Sequence, residues 1–148
     1  SNIEPEKNIL QAIKLLKENG EVESISSVWE SESVGYAGAN FLNLCVLFLT
    51  DLQPDELKET VIRPIENELG RVRDENKNAP RSIDIDIVLF NETLYHVNTW
   101  KYAFVIVPLA ELIPDFVHPF EKKSLIKVSD DIQNQVWIEK REDVIVST

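Results

Sequence analysis

The succession of helical and strand patterns in this 148-residue chain predicts an α+β fold: a ferredoxin-like antiparallel sheet with helices packed on its faces. Three observations predict it. The patterned segments follow one another as helix, strand, strand, helix, strand. Each helical segment opens near a proline and closes on a glycine, Pro5 and Gly20 for the first, Pro54 and Gly70 for the second. The strand segments are short apolar runs rich in aromatic and β-branched residues. One strand ahead of the first helix would complete a β-α-β-β-α-β order. The sequence opens instead on SNIEPEKN, which leads straight into that helix, so the first strand is expected to be missing from residues 1–148.

In chain order, PEKNILQAIKLLKENG reads as a helix because Ile9, Ile13 and Leu16 recur at helical spacing. VESISSVWESESV is strand-like and runs into a loop holding Gly35 and Gly38. FLNLCVLFLT reads as a strand. QPDELKETVIRPIENELG reads as the second helix, with Pro64 expected to kink it or remove a hydrogen bond. RVRDENKNAPR is a charged loop, and a strand carrying two aspartates follows it. YAFVIVPLAELIPDFVHP reads as a strand and then a short helix begun at Pro108, and VWIEKREDVIV as a closing hairpin.

No repeat, low-complexity tract or linker interrupts the chain, so 1–148 is read as a single domain. With 43% hydrophobic and 28% charged residues it is globular in composition. A net charge of −11 argues against a nucleic-acid or anionic-membrane surface, since either needs a broad basic footprint. The single cysteine, Cys45, lies in an apolar run and reads as a small buried hydrophobe; a reducing cytoplasm suits it. No run reaches membrane-spanning length and no signal peptide is visible. Neither of the two common glycine-rich phosphate loops is present. His96 and His118 stand far apart without a second ligand at metal spacing and read as structural.

The chemistry-bearing stretch is NAPRSIDIDIVLF, Asn78 to Phe90. In an extended strand, side chains alternate between faces. Ile83, Ile85, Ile87 and Leu89 therefore line a core face, while Ser82, Asp84, Asp86 and Val88 line the other. The two carboxylates come to lie ~7 Å apart along the backbone. Such a pair is either a Mg²⁺ site, completed by water and substrate phosphates, or two acids on a solvated sheet face. Directly before it, GRVRDENKNAPR holds Arg71, Arg73, Lys77 and Arg81, the densest positive cluster of an acidic chain. Arginines grip phosphate through paired charge-assisted bonds, and phosphoryl transfer needs cations beside metal-binding carboxylates. A solvated basic loop is the other reading.

APRSIDIDIVLF resembles the signature of the 6-hydroxymethyl-7,8-dihydropterin pyrophosphokinase family, which runs Gly/Ala-Pro-Arg-x-x-Asp-Leu/Ile-Asp followed by aliphatics. SNIEPEKNI, SSVWESESVG, FLNLCV, LGRVR and FVIVPLAELIPDFVHP are each similar to family segments and fall in the family's order, over nearly all of residues 1–120. The resemblance implies a cytoplasmic enzyme that transfers pyrophosphate from ATP to the pterin hydroxymethyl group and releases AMP. It implies that Asp84 and Asp86 hold two Mg²⁺ ions bridging the ATP phosphates. Arg71, Arg73, Lys77 and Arg81 match the phosphate-contacting loop, Arg71 and Arg81 among the catalytic set, and Glu66 and Ile87 match positions near the nucleotide. Asn43 matches the asparagine that bonds the pterin edge and Phe104 the ring that stacks on it. Ser31, Glu32, Val34 and Phe41 match the rest of the pocket wall. Two departures stand out. Asn78 occupies a place where the family carries an aromatic. The family also has a segment resembling Ile-Pro-His-Pro-x-x-His-x-Arg ahead of its Phe-Val-Leu-x-Pro-Leu. Here NETLYHVNTWKYAFVIVPL has no such His and Arg, with Tyr102 where the arginine is expected. The alternative is a degenerate relative that binds pterin or nucleotide with little turnover.

Overall fold

A computed structural model describes residues 4–32, 40–70 and 83–146. The fold class is α+β with antiparallel strand pairs, as the sequence predicts, but the described strands form three small sheets rather than one. The chain divides into two compact units, one drawn from 1–22 and 48–97 and the other from 23–47 and 98–148. No described helix is long and apolar enough to cross a membrane.

In the first unit, α1 (Pro5–Asn19) buries Ile9, Ala12, Ile13 and Leu16, one stripe at helical spacing. Glu6 in its first turn and Lys17 in its last complement the helix dipole. Gly20 ends it on extended backbone, where a Cβ would come within 2.4 Å of Phe48 Cζ and 3.0 Å of the Leu49 carbonyl oxygen. The glycine answers a close approach there. The second helical stretch consists of α2 (Pro54–Leu57), a π-turn (Lys58–Ile62) and α3 (Arg63–Gly70). The sequence predicts that Pro64 kinks this helix or removes a hydrogen bond; the chain stays helical across it. Proline lacks a donor and its ring clashes with the carbonyl four residues back. The turn just before it widens, and the Arg63 N–H bonds the Lys58 carbonyl five residues back. α3 packs on α1. Ile83–Val88 follows without regular secondary structure. β5 (Leu89–Phe90) pairs with β6 (Thr93–Leu94), so of the described part of the predicted strand, 83–90, only the end is paired.

The second unit is built on a three-stranded antiparallel sheet in the order β3-β2-β7, from β2 (Trp29–Ser31), β3 (Phe41–Asn43) and β7 (Ile138–Lys140). Against it lies α4 (Ala103–Leu112), which also packs on α5 (Leu125–Gln133). Trp29, Ala103 and Val107 form the centre of this core, with Ile132 and Ile138 at its margin. α4 corrects the reading of a strand before Pro108. Its residues Val105 to Ala110 are all buried, so no 3.6-residue stripe is visible, and its β-branched run imitates a buried strand. VWIEKREDVIV contributes the single strand β7 in place of a hairpin, and β7 returns to β2.

The two long strand readings are each broken in two. β1 (Glu21–Ile25) stops before β2, and β3 stops before β4 (Val46–Leu49), which pairs with β1. The breaks are stitched together: the Ser26 N–H bonds the Cys45 carbonyl at 2.9 Å, and the Cys45 N–H bonds Ser26 Oγ at 2.8 Å.

Candidate active site

The acidic pair sits on the first unit. Along Ile83–Val88 burial alternates, with Ile83 buried and Asp84 and Asp86 both exposed on the opposite side. The carboxylates stay exposed between the isoleucines, but of the predicted core face Ile83 alone is buried, while Ile85, Ile87 and Leu89 are half-buried. What fixes this chain is α3: the Ile85 N–H, between the two aspartates, donates to Glu66 Oε2 at 2.9 Å. Glu66 lies in the first turn of α3, directly after the π-turn. Ile87 is half-buried in the same segment. Arg71, Arg73, Lys77, Arg81 and Val34 lie outside the described residues, as does Asn78.

The structure adds His96, which spacing alone read as structural. Its Nε2 lies 3.7 Å from Asp86 Oδ1. The hairpin of β5 and β6 brings it there: Phe90 faces Thr93, Leu89 faces Leu94, and the Tyr95 N–H bonds the Val88 carbonyl at 3.0 Å. Among the described residues no group of three or more His, Cys, Asp or Glu side chains could hold a metal ion. Two accessible carboxylates on one side of the chain fit Mg²⁺, which needs few protein ligands and keeps water and phosphate oxygens in its shell.

The matched substrate residues lie on the second unit. Residues opposite one another in an antiparallel pair project to the same side. Trp29 faces Asn43 and Ser31 faces Phe41, so Ser31, Phe41 and Asn43 share one face of the sheet with Trp29. Ser31 is buried; Phe41 and Asn43 are half-buried. α4 packs on β2 and β3 and carries Phe104 near its start. Tyr102 stacks on Phe104 with ring centres 5.1 Å apart and planes 12° from parallel, which covers one face of that ring. Glu32 follows β2 and is exposed.

Glu111 ties this framework together. Its carboxylate accepts the Ser27 N–H at 3.0 Å, the Ser27 hydroxyl at 2.8 Å and the Trp29 indole N–H at 2.8 Å, joining the end of α4 to β2. Sequence reasoning missed it, although Glu111 is the single charge in the helix AFVIVPLAEL. Close by in the fold, Cys45 Sγ lies 4.0 Å from the Val105 carbonyl. Desolvation, aided by the Glu111 charge, pushes its thiol up to about 12. On the other side of β2, Glu30 receives the Asn40 amide at 3.1 Å and Arg141 Nη1 at 2.6 Å, and these bonds hold its carboxyl below the usual range. Arg141 also forks onto Asp143 at 2.8 Å. His118 is buried; its Nδ1 accepts the N–H groups of Phe120 and Glu121, so Nε2 carries the proton toward the Trp100 carbonyl, a structural role as read.

The model of the 7,8-dihydro-6-hydroxymethylpterin-pyrophosphokinase (HPPK) family matches residues 1–114, a span that contains every candidate residue above. The 2-amino-4-hydroxy-6-hydroxymethyldihydropteridine pyrophosphokinase of Bacillus subtilis is 38% identical over 152 aligned positions, covering 95% of this chain and 87% of that protein. Its namesake from Aquifex aeolicus is 37% identical over 126 positions, 79% of this chain and 78% of that one. The folic acid synthesis protein FOL1 of Dictyostelium discoideum is 35% identical over 122 positions, 76% of this chain and 18% of that larger protein. The chain belongs to the 7,8-dihydro-6-hydroxymethylpterin-pyrophosphokinase family, transferases that move pyrophosphate from ATP to 6-hydroxymethyl-7,8-dihydropterin in folate biosynthesis.

Proposed function

We propose that this chain performs the transfer as a Mg²⁺-dependent enzyme, with Asp84 and Asp86 as the protein ligands of two ions. The observation that carries the reading is the presentation of both carboxylates on one side of a backbone held at its midpoint by Glu66. Bound Mg²⁺ would supply charge neutralisation on the bridging phosphate oxygens. The residues of the chain do the rest. Glu66 keeps Asp84 and Asp86 in register by gripping the peptide between them, and Ile87 flanks the nucleotide. Arg71, Arg73, Lys77 and Arg81 hold the triphosphate through charge-assisted bonds. Asn43 reads the pterin edge, where one amide offers both donor and acceptor. The free face of Phe104 stacks on the ring, and Ser31, Glu32, Val34 and Phe41 wall the pocket. The hydroxymethyl oxygen attacks the β-phosphorus, loses its proton, and AMP leaves. A reducing cytoplasm suits an enzyme with a single free, half-buried cysteine.

Calorimetric titration of Mg²⁺ with a non-hydrolysable ATP analogue tests the reading. The Asp84→Ala, Asp86→Ala double variant should lose metal-dependent nucleotide binding and all turnover. Equal nucleotide affinity in the double variant and the wild type would contradict it.

A further inference from the structure

We propose that Glu111 is a positioning residue for pterin binding: its carboxylate fixes α4, which carries Phe104, against the strand pair that carries Ser31, Phe41 and Asn43. The proposal rests on the reading that these residues form the pterin pocket, and it names what sets their spacing. The bonds converge where the chain enters β2. Glu111 Oε2 accepts the Ser27 N–H at 3.0 Å and the Trp29 indole N–H at 2.8 Å, and Oε1 accepts the Ser27 hydroxyl at 2.8 Å. Trp29 opens the strand that ends on Ser31, and it faces Asn43 across the pair. On α4, Phe104 stands about two turns ahead of Glu111, so both side chains leave the helix on nearly the same side. Ala103 and Val107 share that side and pack with Trp29.

Apolar packing alone would not set this spacing. It is non-directional, and α4 carries no charge besides Glu111, so the helix could slide or turn on the sheet at little cost. Hydrogen bonds weaken steeply off line, so three of them from one carboxylate fix both the slide and the turn. A shift of α4 on β2 would move the ring of Phe104 relative to the amide of Asn43, and a flat ligand must meet both. The candidate nucleotide residues Glu66, Asp84, Asp86 and Ile87 belong to the other compact unit, so the shift should reach the pterin and spare the nucleotide.

The test titrates 6-hydroxymethyl-7,8-dihydropterin into the full chain with Mg²⁺ and a non-hydrolysable ATP analogue present, below the melting point of every variant. Glu111→Ala removes all three bonds. Glu111→Gln keeps them without the charge: its amide oxygen takes the two N–H groups, and its NH₂ donates to the Ser27 hydroxyl turned round to accept. Glu111→Ala should weaken pterin binding roughly tenfold, while Glu111→Gln stays within about threefold of the wild type. Affinity for the ATP analogue should stay within about threefold in both. Ser27→Ala and Trp29→Phe each remove one bond; each should weaken pterin binding about threefold alone and add little to Glu111→Ala, because they act through the same carboxylate. A lowered melting point with pterin affinity unchanged would make Glu111 a staple only and overturn the proposal. An equal loss of pterin and nucleotide affinity, or Glu111→Gln as weak as Glu111→Ala, would overturn it too. Should Glu111→Ala not fold, the two single-bond variants decide, and unchanged pterin affinity in both overturns it. Asn43→Ala separates the proposal from the reading beneath it. If Asn43→Ala loses pterin affinity and Glu111→Ala does not, the role of Glu111 alone falls; if Asn43→Ala loses none, the pocket reading falls and the proposal with it.

Discussion

Asn43 is the residue on which recognition of a flat, hydrogen-bonding ligand turns in this account. It projects from β3 on the same face as Ser31 and Phe41, and a pterin edge left without its amide would strand buried donors and acceptors at ~1–3 kcal/mol each. Asn43→Ala should weaken pterin binding about ten- to a hundredfold in a calorimetric titration while nucleotide affinity stays level; unchanged pterin affinity would remove Asn43 from the pocket. Cys45 makes a contrasting case. Its thiol is pushed up to about 12 by desolvation and the Glu111 charge, so it should resist alkylation in the folded protein at pH 8 and react once the chain is unfolded. Rapid native labelling would show that the sulfur is open to solvent. At this scale the sequence was informative where period and composition sufficed. Asp84 and Asp86 emerge from a period-two alternation, whereas Cys45, read from its apolar run as buried, is half-buried. Glu111 and His96 did not emerge, because their meaning depends on partners that folding supplies, Trp29 82 residues away for one and Asp86 across a hairpin for the other.

Elements show where local pattern and tertiary context part. α1 was legible because Ile9, Ala12, Ile13 and Leu16 are buried at helical spacing and most of the remaining positions are polar. α4 was not, because a helix apolar on every side carries no period, and its Pro108 imitates a helix start. The break after α1 gives a direct check: a methyl at position 20 meets Phe48 and the Leu49 carbonyl. Gly20→Ala should therefore cost ~1–3 kcal/mol, with the melting point lowered by a few degrees per kcal/mol. A melting point equal to the wild type would show that the two strands yield freely. β7 gives a second check. Glu30 is bonded by Asn40 and by Arg141, which follows β7, so its folded-state carboxyl lies below the ordinary value of 4.5. A lowered carboxyl contributes stability above that value and loses it as pH falls through the folded one. The melting-point advantage of wild type over Glu30→Gln should be present at neutral pH and shrink as the pH is lowered into acid; an advantage that does not shrink would contradict the linkage.

For the molecule as a whole, the sequence conveyed the class and the chemistry better than the topology. The basic cluster of an acidic chain left phosphate binding open, and the signature around the aspartates pointed to the family that residues 1–114 match. How the strands pair was not legible. Two- and three-residue strands leave little alternation to read, and β7 joins β2 from more than a hundred residues away. The central claim is that this chain moves a pyrophosphoryl group. Attack at the β-phosphorus releases AMP, whereas an ordinary kinase attacks the γ-phosphorus and releases ADP. The most direct measurement is to incubate the protein with ATP, Mg²⁺ and 6-hydroxymethyl-7,8-dihydropterin and separate the nucleotides. The account predicts AMP formed in step with pterin consumed, and none without Mg²⁺ or without pterin. ADP as the product, or no pterin-dependent loss of ATP, would contradict it.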